Sequence, residues 1–157
     1  MGGTAMKPIL MGMNNPLSAR PEHALFPYPP GCTGHRIWKM LEARTGATRS
    51  QYLEAFERRN LLNSLAWKKH EARPAALAVW PQLLGRVVVL LGNDPRDAFG
   101  VPPLLVHPQE YGGVTWRQLP HPSGRCHWYN SPKNRDVAAL LLQELYEASV
   151  ASVGKVA

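Results

Sequence analysis

The run Val87–Leu91, VVVLL, constrains the fold more than any other stretch of this 157-residue chain. Five apolar residues in succession, β-branched at the start and with no polar residue between them, suit a strand buried on both faces. Such strands lie at the centre of parallel sheets. Gly92 and Asn93 follow the run directly. A central parallel strand needs parallel neighbours reached by crossovers, so the rest of the chain has to supply strands separated by helices.

Three further stretches qualify as strands. PILMGM, residues 8–13, stops at NNP, where asparagine and proline favour a turn. Residues 54–62 begin helically in YLEAF and end in RNLLN, read as a short strand that terminates at Asn63. Thr115–Leu119 is the last. Between them, His35–Arg44 has a helical apolar face, with Thr33 and Gly34 at its entry and Gly46 near its end. Lys68–Leu84 reads as a helix with Pro74 in its first turn and Pro81 forcing a bend. A short helix around Pro95–Phe99 interrupts the proline-rich connection 94–110, and KNRDVAALLLQELYEASV supplies a final helix after Pro132. The expected fold is a three-layer α/β/α arrangement with a mainly parallel central sheet. One domain spans 1–157, with residues 1–7 and 151–157 loose. In that architecture ligands gather beyond the carboxyl ends of the strands. Asn14, Asn63, Asn93 and His121 each fall at or just after such an end.

With 45% hydrophobic residues the chain can build one sizeable core, whereas two domains would be cramped. No fully apolar run exceeds the six residues of Val137–Leu142, far below the ~20 residues of a membrane span, and no secretory leader is visible. A cytoplasmic monomer without membrane contact is expected. Lysine and arginine number 18 against 11 acidic residues, a formal charge of +7, which favours a polyanion as partner. Cys32 and Cys126 are the only cysteines, too few for a four-thiolate zinc or iron–sulfur site, and ordinary thiols are expected. No HExxH, Walker, GxSxG or dinucleotide motif occurs, and GMNNP lacks the lysine of a phosphate loop. Carboxylate pairs after strand ends are also missing, which disfavours a metal-dependent nuclease. Neutral amides and one histidine are left to carry any reaction, with neither metal nor organic cofactor.

Residues 115–132, TWRQLPHPSGRCHWYNSP, crowd His121, Arg125, His127, Trp128 and Tyr129 around a Pro-Ser-Gly turn. A second unusual stretch is the connection 14–34, about 20 residues long and rich in proline, where His23, Phe26 and Tyr28 either pin the loop or line a cleft; a loop of that length usually carries a task. In order along the chain, GMNNPLS, FPYPPGCTGHRIWKML, VVVLLGN and LPHPSGR resemble the motifs of the uracil-DNA glycosylase superfamily, most closely its mismatch-specific uracil/thymine branch. The resemblance covers about residues 9–146.

That resemblance implies an enzyme that flips a pyrimidine nucleotide out of DNA, double-stranded by expectation, and hydrolyses its N-glycosidic bond. Asn14 would orient the attacking water, because an amide is a poor base. His121 would donate to the pyrimidine O2 as negative charge builds on the departing base. Tyr28 would stack on the base with Phe26 supporting the loop. Asn63, with Asn60 as the alternative, would read the base edge, and Asn93 would join the base-binding set. Arg125 matches the wedge that fills the vacated stack. Ser123 and Gly124 form the turn that approaches phosphate; His127 extends that surface, and Lys133 or Arg135 binds phosphate by charge. Trp38 is assigned to the core. The first motif departs from the family pattern at Asn15 and Pro16, and no aromatic stands there to exclude thymine. The substrate range thus extends to mismatched thymine and 5-substituted pyrimidines. Two other readings share this fold: a glycosylase for hypermodified phage pyrimidines in host defence, and an inactive nucleic-acid-binding protein.

Overall fold

The computed structural model describes residues 7–102, 107–123 and 125–156. Among them a five-stranded sheet has the order β2-β1-β3-β5-β4, built from β1 (Ile9–Gly12), β2 (Glu57–Asn60), β3 (Val87–Leu91), β4 (Gln109–Tyr111) and β5 (Val114–Leu119). The pairs β1–β2, β1–β3 and β3–β5 are parallel, and only β4 runs antiparallel, against β5. The helices are α1 (Thr33–Thr45), α2 (Arg49–Ala55), α3 (Lys69–Val79), α4 (Asn93–Phe99) and α5 (Pro132–Val156).

Successive side chains of a strand point to opposite faces, so strands apolar throughout feed two separate cores. Leu10, Val89, Leu91 and Leu119 pack with Ile37 and Leu41 of α1, Tyr52 of α2, and Ala138 and Leu142 of α5. Their neighbours Ile9, Met11, Val88, Leu90 and Trp116 pack with Ala72 and Ala76 of α3 and with Ala98 and Phe99 of α4. The expected three-layer α/β/α arrangement with a mostly parallel sheet is therefore present. No helix among the described residues is long and apolar enough to cross a membrane.

Local chemistry sets the helix ends. Cys32 caps α1, its Sγ accepting the His35 N–H, and Gly46 closes the helix in the left-handed region at φ 71°. A capping box of Thr48 and Gln51 starts α2. Pro74 lies inside α3 rather than in its first turn, so the His70 carbonyl loses its usual intrahelical donor. The bend expected at Pro81 is a 3₁₀ turn, Trp80–Leu83.

Two strands differ from the sequence reading. β2 is ERRN, ending at Asn60, and not RNLLN ending at Asn63. Its charged residues are held because Glu57 accepts hydrogen bonds from Arg59 and from Arg86, whose guanidinium is buried 2.9 Å away and also donates to the Lys7 carbonyl. β4 falls in what reads as a connection; it is short and exposed, joined to β5 through Gly112 and Gly113, both at positive φ as a tight hairpin requires. The final helix runs on through Val156, past residue 151.

Candidate functional site at the carboxyl edge of the sheet

β1 leads outward to β2 on one side, whereas β3 leads to β4 and β5 on the other. The chain thus diverges beyond the ends of β1 and β3, the place where open α/β sheets form a crevice. Asn14, Asn93 and His121 share one offset there. Each stands two residues beyond its strand, after Gly12, Leu91 and Leu119 respectively.

Asn14 lines a cavity of about 320 Å³ together with Pro16, Phe26, Tyr28, Asn60 and Ser123. Its Nδ2 donates to the Leu65 carbonyl at 3.0 Å, and Oδ1 has no protein partner among the described residues. The amide is thereby oriented with an acceptor to spare. Asn60 reaches the cavity because β2 is in register with β1, Gly12 opposite Asn60, and because Gly12 has no side chain: a Cβ there would stand 2.6 Å from Asn60 Oδ1. Asn63 lies elsewhere. It is exposed and lines a hollow on the α3 side with Ala75, Val79 and Gln82. The sequence reading could have separated the two asparagines only by fixing the strand register.

The 14–34 connection is tied down along its length. Asn15 accepts the Leu17 N–H and donates to the His23 carbonyl, while the Ser18 hydroxyl meets His23 Nδ1 at 2.8 Å. The buried Tyr52 hydroxyl donates to the Leu25 carbonyl at 2.9 Å, and Arg58 donates to the Ala24 carbonyl at 2.7 Å with its guanidinium 5.8 Å from the Phe26 ring. Phe26 is therefore both an anchor and part of the cavity wall. Tyr28 is 61% exposed at the rim, followed by a cis peptide bond to Pro29. A ring so placed can offer a face to a flat ligand.

His121 lines a separate cavity of about 340 Å³ with Gly92, Asn93, Arg96, Gln118 and Cys126. Burial holds its pKa below the ordinary value, against an opposing pull from Asp94, so the imidazole is neutral near pH 7. Asn93 Oδ1 accepts from Gln118 Nε2 at 3.0 Å, which fixes that amide's orientation. The structure therefore does not bring His121 and Asn14 into one cavity. Their strands are separated by β3 alone, a lateral distance of about 10 Å from the usual strand spacing. Ser123, two residues beyond His121, bridges the gap by lining the Asn14 cavity.

Past the turn, Arg125, His127 and Lys133 are exposed. The expected close approach at Gly124 lies outside the described residues. Trp128 and Tyr129 turn inward onto the core, and the Tyr129 hydroxyl donates to the Pro120 carbonyl at 2.6 Å, bracing the loop. Arg135 donates to the carbonyls of Tyr129 and Asn130. Trp38 is buried, its Nε1 donating to the Ala47 carbonyl. Cys32 and Cys126 are free thiols. No cluster of three or more metal-ligating side chains occurs among the described residues. No protein-family model matches the chain, and no curated protein matches it.

Proposed function

We propose that the chain is a monofunctional DNA glycosylase acting on a flipped uracil, mismatched thymine or 5-substituted pyrimidine. One observation carries the reading. At the crevice of the sheet, an amide with a fixed orientation, Asn14, shares a nucleoside-sized cavity with a second amide, Asn60, and an exposed aromatic face, Tyr28. Asn14 Oδ1 accepts a hydrogen from water and aims its oxygen at the sugar C1′. As the glycosidic bond breaks, its electron pair leaves with the base, the hydroxyl joins C1′, and the remaining proton ends on the base. A neutral His121 supplies an N–H to the pyrimidine O2 as the charge develops, which requires the base to lie across the end of β3. One such donor contributes ~3 kcal/mol to the transition state. Among the described residues no lysine lines the Asn14 cavity, so the reaction ends at an abasic site without strand cleavage by a Schiff base.

The cavity wall beside Asn14 is made by Pro16 and Leu17, both exposed. That open side favours a second reading, in which the pyrimidine carries a bulky 5-substituent of the kind found in hypermodified phage DNA. Release of free base from oligonucleotides bearing uracil, G·T mismatches or 5-substituted pyrimidines, and from modified phage DNA, tests both. Asn14→Ala and His121→Ala are expected to slow release by ~10²-fold or more, and Asn60→Ala to weaken it where Asn63→Ala does not. Folded Asn14→Ala and His121→Ala proteins that keep the parental rate would remove the site assignment. Binding without release on every substrate would favour an inactive nucleic-acid-binding protein.

A further inference from the structure

Beside the Asn14 cavity lies a groove of about 470 Å³ between α1 and residues Pro122, Ser123, Cys126, Tyr129 and Asn130, and the two hollows share Gly31 and Ser123 as walls. Arg36, Lys39 and Arg135 line it, together with His35 and Asn130, and among the described residues no carboxylate does. A hollow of about 680 Å³ on the α3 side is different: Glu22 and Glu57 line it beside Arg58 and Arg59, and Arg59 is paired with Glu57. Among the described residues, the ion pair made by the groove's cations is Lys39 with Glu42, an exposed pair that contributes little in water.

His35 adds a donor. Its Nδ1 accepts the Gly31 N–H at 3.1 Å, so in the neutral ring the proton sits on Nε2. Burial, then the charges of Arg49, Lys39 and Arg36, keep His35 below its ordinary pKa, as a site of positive potential would.

We propose that this groove is a phosphate track, taking the backbone of the DNA strand on one side of the nucleotide held in the Asn14 cavity. The assignment rests on the glycosylase reading for its strand but on the groove's own charge for its chemistry. Arg36 and Lys39 stand one helical turn apart on α1 and meet successive phosphates, with Asn130 and the Ser123 hydroxyl as neutral partners.

The test is fluorescence anisotropy of the full chain with a labelled single-stranded DNA across a salt series. Each lost phosphate contact lowers the magnitude of the slope of log K against log salt by ~0.7 on single strands. Arg36→Gln/Lys39→Gln is expected to lower it by ~1.4, whereas Lys68→Gln/Lys69→Gln, in the opposite helical layer, leaves it unchanged. Arg36→Lys/Lys39→Arg keeps the parental slope, which separates charge from any structural role of the Arg36 bond to the Gly31 carbonyl. An unchanged slope in the glutamine pair, an equal fall in the α3 pair, or tighter binding of RNA of the same sequence overturns the proposal. Base release measured in parallel keeps the two readings apart: release with an unaltered slope removes the track alone, and an altered slope without release removes the glycosylase alone.

Discussion

Two glycines around the Asn14 cavity differ in what a methyl group would meet. At Gly12 the new carbon would crowd Asn60 Oδ1, the far end of a side chain that can swing away. At Gly34 it would overlap the backbone carbonyls of Leu25 and Phe26, which the surrounding hydrogen bonds hold in place. Gly34→Ala is therefore expected to lower stability by ~3 kcal/mol, the upper range for forced overpacking, and Gly12→Ala by under ~1 kcal/mol. Because the swing removes Asn60 from the cavity, Gly12→Ala should reduce base release in a protein that melts almost normally. Urea midpoints read beside release rates check this. Equal destabilisation of the two variants would refute the distinction between side-chain and backbone crowding.

Elements rather than single residues give the cavity its shape. The connection 14–34 carries Phe26 and Tyr28, yet it has little regular structure beyond one 3₁₀ turn at Pro21–His23. It stays in place through hydrogen bonds reaching in from α2 and β2, the most buried being Tyr52 to the Leu25 carbonyl. Burial raises the pKa of the Tyr52 phenol far above its ordinary range, so the donor is present at any pH of interest. Tyr52→Phe leaves a buried carbonyl unpaired and is expected to destabilise by ~1–3 kcal/mol. The loosened connection should also become a target for limited proteolysis ahead of the sheet. If the variant matches the parent in both urea midpoint and cleavage pattern, the connection is held by apolar packing alone.

Over the whole molecule, acid should act in two stages. His121 and His35 both titrate below their ordinary value when folded, chiefly through burial. The unfolded chain therefore takes up their protons first, and stability falls as pH drops below ~6.5 and on through the folded values. For Glu57, burial opposes ionisation, but hydrogen bonds from Arg86 and Arg59 outweigh it and hold the carboxyl below its ordinary range. Its contribution is present above ~4.3 and is lost as pH falls through the folded value. Urea midpoints from pH 8 to 3 should show both limbs, with His121→Gln flattening the first and Glu57→Gln the second. A single loss confined below pH 5 would contradict the histidine limb. The apolar β1 and β3 made the layers legible in the sequence, as did the shared offset of Asn14, Asn93 and His121. What stayed hidden was register and edge structure. β2 is polar because it borders the sheet and pairs its charges with Arg86, so its pattern pointed three residues too far along, to Asn63. β4 is three exposed residues whose one local signature is the Gly112–Gly113 turn. The separation of His121 from the Asn14 cavity depends on loop geometry that no periodicity encodes.

The two margins of the sheet have a further consequence. One is lined by the ionised side chains of β2, and the other stops after three residues of β4. A foreign strand laid along either would find charge in its way or too short a ladder to hold it. The chain should thus remain clear in concentrated solution and resist seeding by amyloid-like fibres, a robustness that comes from its borders and owes nothing to its interior.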